Sequence, residues 1–372
     1  MVRVRVRGGA PEAGAARRAD RHIRRVGLFA LPPLLVLAFV LLWAAAGVGA
    51  APGGTLRVHF LDVGQADSIF VQAPGGHAIL IDGGNNADGP AVVAYLRKHG
   101  VARLDAVIAT HPHEDHVGGL DDVLKGFLVS TVYMPNVTHT TRTFEDFVDA
   151  ARRAGKRIQA KAGVKPNIPG ITAVFLAPVG SGYPDLNDYS AVLKLTYGSV
   201  SFLFTGDASA ASEGQMLASG ADLHATVLKV GHHGSSSATT APFLRAVAPR
   251  YAVISVGAGN PYGHPAPVTL GRLKQAGVTV FRTDQQGTVV ASTDGKSVRF
   301  SLSKAGTAAA AGSAVAAAHA AGSQNITVFV TKTGHKYHRQ GCRFLARSQI
   351  PLTLAEAKAQ GYTPCSVCNP PQ

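Results

Sequence analysis

Cysteine is nearly missing from this 372-residue chain: there are three, Cys342, Cys365 and Cys368, all near the C-terminus. An odd, clustered set argues against a disulfide framework and for a local metal site. Charge is also sparse. Charged residues make up 16% and hydrophobic residues 46%, a balance that excludes a disordered chain. Acidic residues are the scarcer sign, 22 against 36 basic, giving a formal net charge of +14. Residues 1–25 hold eight arginines against Glu12 and Asp20, a local balance of +6 that leaves +8 for the rest. That remainder is basic enough to attract polyanions, although a basic balance is also ordinary in arginine-rich proteomes. Only one apolar run is long enough to span a bilayer, from Val26 to Ala51, so a channel or transporter formed by this chain alone is excluded.

What is there divides into five parts. The basic segment 1–25 precedes the apolar segment 26–51, which Pro32 and Pro33 interrupt and which ends in small residues around Val48 and Ala50. This reads as a cleaved signal peptide or a retained transmembrane anchor, and either one exports the bulk of the chain. The catalytic part is then expected outside the cytoplasm, with a membrane partner if the segment is kept. A body at 55–303 shows α/β patterning. Short apolar runs at Leu56–Val63, Ser68–Ala73 and Ala78–Asp82 predict strands, Pro90–His99 a helix and Leu104–Thr110 a buried strand. Helical patterns follow near Leu120–Phe127 and Phe144–Ala154, and a second strand-rich half begins near Ile171. Gly198-Ser199 predicts a hairpin turn. Two halves that each pair a sheet with helices imply a layered sandwich with helices outside. An Ala/Gly/Ser linker at 304–325 leads to a module at 326–372, too short for a strong core of its own.

The most specific pattern is Thr110-His111-Pro112-His113-Glu114-Asp115-His116-Val117-Gly118-Gly119, where an apolar strand ends and a helix begins. Imidazoles bind borderline divalent metals and a carboxylate adds charge and oxygen ligation. The spacing lets His111 and His113 meet one ion while Asp115 and His116 meet a second, and two ions about 3.5–4 Å apart can promote phosphoryl or acyl transfer.

This loop resembles that of the metallo-β-lactamase superfamily, and the wider pattern is similar to the soluble domain of ComEC-type DNA-uptake proteins. The matching stretches are Phe60-Leu-Asp-Val-Gly-Gln-Ala-Asp-Ser68, Leu80-Ile-Asp-Gly-Gly84, Asn187-Asp-Tyr-Ser-Ala-Val-Leu193, Leu203-Phe-Thr-Gly-Asp207, Leu228-Lys-Val-Gly-His-His-Gly-Ser235 and Asn260-Pro-Tyr-Gly-His-Pro265. The resemblance implies a four-layer αββα sandwich and two divalent metals, Zn or Mn. It implies that Asp82 orients a ligand or the nucleophile, that Asp207 bridges the metals, and that His232 or His233 completes the ligand set of the second metal. It places His264 at a substrate or proton contact and gives Asp115 a catalytic role beside its metal role. Many superfamily members carry one more metal-binding histidine before the bridging aspartate; here that interval offers Asn187, Asp188 and Ser190, and His139 stands in no ligand motif. Fewer nitrogen ligands favour a harder ion such as Mn²⁺.

In the C-terminal module His338, Cys342, Cys365 and Cys368 form two ligand pairs suited to a tetrahedral structural Zn²⁺. The segment resembles the small metal-binding domain of Ada-type DNA-repair proteins, which implies a zinc-bound module able to touch DNA. A Cys365–Cys368 disulfide with one spare thiol is the alternative for an oxidising compartment. Together these features predict an exported metal-dependent phosphodiesterase or nuclease acting on DNA or nucleotides. The alternatives are a hydrolase of a lactone, thioester or β-lactam, and a non-catalytic DNA-binding surface protein.

Overall fold

The computed structural model describes residues 53–304 and 327–370, except 332, 333, 335, 340, 347, 360 and 369. The expected basic segment, the apolar segment and nearly all of the linker lie outside the described residues. Among the described residues, no helix is long and apolar enough to cross a membrane.

Three sheets form. The first has eight strands: β1 (Leu56–Phe60), β2 (Ile69–Gln72), β3 (Ala78–Ile81), β4 (Arg103–Ile108), β5 (Leu128–Met134) and β6 (Lys156–Gln159), joined by β13 (Val289–Thr293) and β14 (Val298–Leu302). Their order is β14-β13-β1-β2-β3-β4-β5-β6. The second sheet holds β7 (Thr172–Phe175), β8 (Leu193–Tyr197), β9 (Val200–Phe204), β10 (Val227–Lys229), β11 (Tyr251–Ile254) and β12 (Thr279–Arg282), in the order β12-β11-β10-β9-β8-β7.

Side chains alternate across a strand, so each strand of a two-sided sheet must supply two cores. The central strands do this. Ile69 and Val71 enter the core between the sheets while Phe70 faces outward; Ile79 and Ile81 face in while Leu80 faces out; Phe202 and Phe204 face in while Leu203 faces out. The outer face of the first sheet is covered by the helices Gly89–Lys98, Leu120–Gly126 and Arg142–Ala154, through Val92, Leu96, Leu120, Phe144 and Phe147. The helices Ala210–Ala218, Ala241–Val247 and Pro267–Gln275 cover the second sheet through Met216, Phe243 and Leu273. The result is the four-layer αββα sandwich that the sequence predicts. Truncating a fully buried aromatic in the shared core, such as Phe204, costs about 3–5 kcal/mol.

The expected hairpin is present: Tyr197 pairs with Val200 and Gly198 takes φ +61°. Two strands of the sandwich escape the sequence pattern. β5 follows directly on a helix with no break beyond Gly126, and its first residue, Leu128, is exposed. β6 is Lys-Arg-Ile-Gln, with one apolar residue to reveal it.

Strands β3–β6 run parallel, as do β9–β12. Their C-terminal ends release the loops that carry the histidines and aspartates, as in open parallel sheets generally. The C-terminal module is a four-stranded sheet, β17-β15-β16-β18, of β15 (Thr327–Val330), β16 (Lys336–His338), β17 (Ile350–Thr353) and β18 (Thr363–Pro364). Its apolar core is small: Val328, Val330, Tyr337, Leu354 and Ala357.

Candidate metal centre

Asp82 stands one residue beyond β3. Its Oδ1 accepts from the Thr110 amide at 2.8 Å, and its Oδ2 accepts from the Thr110 hydroxyl at 2.7 Å and from His116 Nδ1 at 2.8 Å. A histidine whose Nδ1–H is held by a carboxylate presents Nε2 as a ligand in a fixed direction. The Asp82 role implied by the resemblance is thus one this geometry can perform. The ligand loop is seated by close backbone approach. A Cβ on Gly119 would run into the Gly83 carbonyl oxygen, and the Gly83 amide donates to the His116 carbonyl at 2.7 Å.

His116 Nε2 points at two carboxylates, Asp207 at 3.3 Å and Asp115 at 3.8 Å. His233 joins from the turn after β10, its Nε2 3.2 Å from Asp115 and 3.5 Å from Asp207. The His233 Nδ1–H donates to the Ser255 carbonyl at 3.0 Å and fixes that ring. Asp115, His116, Asp207 and His233 each offer one ligand atom, all within 4.8 Å of one another. His116 Nε2 and Asp207 Oδ1 are buried and have no hydrogen-bond partner. Buried polar atoms left without a hydrogen bond are costly, and a cation between this imidazole nitrogen and this carboxylate oxygen would satisfy both. The donor set therefore fits a divalent metal.

His111 and His113 form an adjacent pair, with His111 Nε2 3.0 Å from His113 Nδ1. Behind His111, Nδ1 meets the Thr110 hydroxyl at 3.1 Å and the Ser190 hydroxyl at 3.5 Å. Ser190 also accepts from the Asp207 amide at 3.0 Å. It thus occupies the interval where the sequence shows no further histidine. His139 lies near, its ring 6.1 Å from that of His113, but its Nδ1 is engaged by the Thr141 hydroxyl at 2.9 Å.

Of the two adjacent histidines, His233 is buried in the carboxylate group. His232 lies on the more open side, with Nε2 3.6 Å from Asp207. Asp82, His232 and His233 all have positive φ, at 57°, 48° and 51°. Such a conformation costs non-glycine residues about 1–3 kcal/mol each and persists where surrounding contacts enforce it. His264 sits behind His232, ring to ring at 5.7 Å, and its Nδ1 is buried without a partner.

Charge in this cleft is balanced internally. For His116, burial disfavours the proton, but Asp207, Asp115 and Asp82 outweigh it and raise its pKa well above the ordinary value. Burial disfavours ionisation of Asp207, yet His233 and His116 hold it well below the usual carboxylate range. His111 is pushed well down, first by burial and then by His116. A metal needs deprotonated imidazoles, so ion binding at His116 would be coupled to proton release.

Two residues here have no role in the sequence reading. Lys229, on β10, is fully buried; its ammonium pairs with Asp67 and donates to the Gly206 carbonyl at 3.2 Å. Asp67 also lies 3.6 Å from His233 Nδ1 and 3.8 Å from His116 Nδ1. Asp67, Asp82 and His116 cluster closely, but these carboxylates already face Lys229 and Thr110 and the non-coordinating side of His116. They form the supporting layer rather than another ion site. A lysine inside an apolar strand was the available signal, since buried lysines require a partner.

In the C-terminal module the three cysteines are free thiols. His338, Cys342, Cys365 and Cys368 offer ligand atoms within 4.8 Å of one another, with Cys342 Sγ 3.3 Å and Cys368 Sγ 3.8 Å from His338 Nδ1. All four are buried, which fits a closed structural zinc rather than the Cys365–Cys368 disulfide.

Residues 61–258 match the metallo-beta-lactamase superfamily model. ComE operon protein 3 of Bacillus subtilis is 32% identical over 251 residues, covering 63% of this chain and 32% of that protein. Competence protein ComA of Neisseria gonorrhoeae is 32% identical over 239 residues, 64% of this chain and 32% of that protein. The chain thus spans about a third of the length of these relatives. Among solved structures, the metallo-beta-lactamase fold protein YhfI of Bacillus subtilis is similar at TM-score 0.46 and 15% identity, over 64% of this chain and 99% of that one. Since the family match takes in more than half of the sequence, and with it the whole His-x-His-x-Asp-His loop, this chain belongs to the metallo-β-lactamase superfamily.

Proposed function

We propose that this protein is an exported, metal-dependent phosphodiesterase that cleaves nucleic acid at a dinuclear centre. The observation that carries the proposal is the pair His116 Nε2 and Asp207 Oδ1, buried and unpartnered, grouped with Asp115 and His233 and accompanied by the adjacent pair His111 and His113. The likeness to Competence protein ComA of Neisseria gonorrhoeae supports a nucleic-acid substrate over a lactone, thioester or β-lactam.

In this reading Asp115, His116 and His233 would hold one ion and His111 and His113 the other, with Asp207 offering a carboxylate to both. The two ions would supply Lewis-acid charge and activate water for attack on phosphorus. Asp82 and the Ser255 carbonyl fix the imidazole orientations. His232 stays on the substrate side. His264, whose pKa is lowered by burial and then by His232 and His233, serves in this reading as a proton acceptor. Ser190 in the position of a further histidine favours Mn²⁺ over a second tightly held Zn²⁺. The Cys₃His module holds one structural zinc. The apolar segment before Pro52 directs export and either leaves with a signal peptidase or anchors the chain.

The test is cleavage by metal-stripped full chain resupplied singly with Mn²⁺, Zn²⁺ or Mg²⁺. Substrates are single- and double-stranded DNA, RNA, and a chromogenic β-lactam and lactone. Metal-dependent cleavage of nucleic acid, absent from the Asp115→Ala/His116→Ala variant, is the expected result. Turnover of the lactone or β-lactam with no nucleic-acid cleavage would overturn the proposal.

A further inference from the structure

The sequence from Ala150 to Pro184 contains no Asp or Glu, yet it holds Arg152, Arg153, Lys156, Arg157, Lys161 and Lys165. All six are exposed. Arg152 is taken by Asp149 at 2.8 Å, and the other five have no ion-pair partner among the described residues. Asp222 borders the groove beside Ala162 and Gly163, but Lys194 holds it at 2.7 Å. Five uncompensated cations therefore occupy one stretch that contains no acidic residue.

The fold sets these cations in a line. Arg153 ends the helix that feeds β6, and Lys156 and Arg157 open that strand. β6 is the last strand of the eight-stranded sheet, so its outer edge is unpaired. Register then ties the line to the metal centre. Ile158 is level with Tyr133, and Tyr133 with Ile108. The Ala160 amide continues the ladder to the Met134 carbonyl. Ala160 is thus level with Thr110, two strand spacings away, or about 10 Å. Lys161 leaves the sheet at the same end as His111. From Lys156 to Lys161 the line is about 16 Å long at roughly 3.3 Å per residue.

We infer that the free β6 edge binds the phosphate backbone of a nucleic-acid chain whose reacting phosphodiester lies at the metal centre. Lys161 and Lys165 take the phosphates nearest the centre, and Arg157, Lys156 and Arg153 take those farther along. The substrate is then a polymer rather than a free nucleotide, and recognition is by backbone charge rather than by base. Charged side chains also guard open strand edges against pairing with other chains. The two roles predict different measurements.

The inference rests on the nucleic-acid reading above, but its test is binding and needs no cleavage. Full chain in EDTA is titrated onto fluorescein-labelled single-stranded and duplex 20-mers from 50 to 300 mM salt. Residues 1–25 contribute their arginines to every variant alike. Lys161→Ser/Lys165→Ser is expected to weaken single-strand binding about tenfold near 0.1 M salt. It should also lower the slope of log affinity against log salt by about 1.4, or about 0.7 per lost phosphate contact. Lys161→Arg/Lys165→Arg should keep both. Lys296→Ser/Arg299→Ser, on exposed residues at the opposite edge of the same sheet, should change neither. Equal losses at both edges would show a diffuse charge effect and overturn the inference. So would unchanged binding in the Lys161→Ser/Lys165→Ser variant. The single-strand and duplex arms identify which polymer makes the contact. Failure of the phosphodiesterase reading would appear in the cleavage assay and leave these slopes intact.

Discussion

Removing the ammonium of Lys229 without removing Asp67 should be among the most damaging single changes outside the hydrophobic core. Lys229 is fully buried, and burial alone would lower its pKa; Asp67 and then Asp207 outweigh that and raise it. In Lys229→Met the chain length and most of the apolar stem are kept, so little packing is lost. Asp67 is 1% exposed and would lose the ammonium that pairs with it, and the Gly206 carbonyl would lose a donor. Stranding one member of a buried ion pair costs about 3–5 kcal/mol. For a body of this size each kcal/mol moves the melting temperature by about 2–4 °C, so the variant should melt about 6–20 °C lower. Replacing both members, Lys229→Met/Asp67→Leu, should recover most of that loss, because two apolar side chains can fill the space without a stranded charge. The assay is thermal and urea unfolding of metal-free protein, so that ion binding does not mask the difference. A Lys229→Met variant within about 1 kcal/mol of wild type would refute the reasoning. So would a double variant less stable than the single one.

Other expectations follow from the same contacts. Thr110→Ala deletes the hydroxyl that Asp82 accepts from and should cost about 1–3 kcal/mol while weakening metal affinity, read by unfolding and by competition with a chelator dye. His59 is buried with Nε2 unpartnered; burial, then His99 and Arg57, lower its pKa to about 3. Its unfolded value is near 6.5, so the unfolded chain takes the proton first. The stability linked to His59 is therefore complete above about pH 6.5 and is lost as pH falls toward 3, by up to about 1.4 kcal/mol per pH unit. His59→Phe should flatten that slope in urea titrations at pH 7, 5.5 and 4.5, and an unchanged slope would place the acid sensitivity elsewhere. Cys365→Ser should make the C-terminal module protease-sensitive and open the remaining thiols to alkylation, as should a strong chelator acting on wild type; persistent protection after chelation would rule out structural zinc.

The ligand loop was legible because four donors fall within six residues at a strand end, which brings them together whatever the surrounding fold. The layers were legible because alternating runs such as Ile69-Phe70-Val71 have to serve two cores at once. The pairing of Asp67 with Lys229 joins residues 162 positions apart and depends on how β10 packs against the loop after β1, which no local pattern encodes. The burial of His233 among the carboxylates, with His232 on the more open side, turns on two successive left-handed residues and the Ser255 carbonyl just beyond β11, so spacing left it open. β6 was hidden because this edge strand has only one partly buried residue, Ile158, and its charged neighbours read as loop. That same charge is what gives the edge its proposed use.

The central claim is that Asp207 and its histidine partners make a dinuclear phosphodiesterase. The most direct test is hydrolysis of bis(p-nitrophenyl) phosphate by metal-stripped full chain as Mn²⁺ is titrated in, beside Asp207→Asn. The account predicts activity that saturates at two Mn²⁺ per chain beyond the zinc of the C-terminal module, and at least a hundredfold loss, on the order seen for removing a key catalytic group, in the variant. Hydrolysis that ignores the Asp207 change, or none with Mn²⁺, Zn²⁺ or Mg²⁺ bound at that stoichiometry, would contradict it.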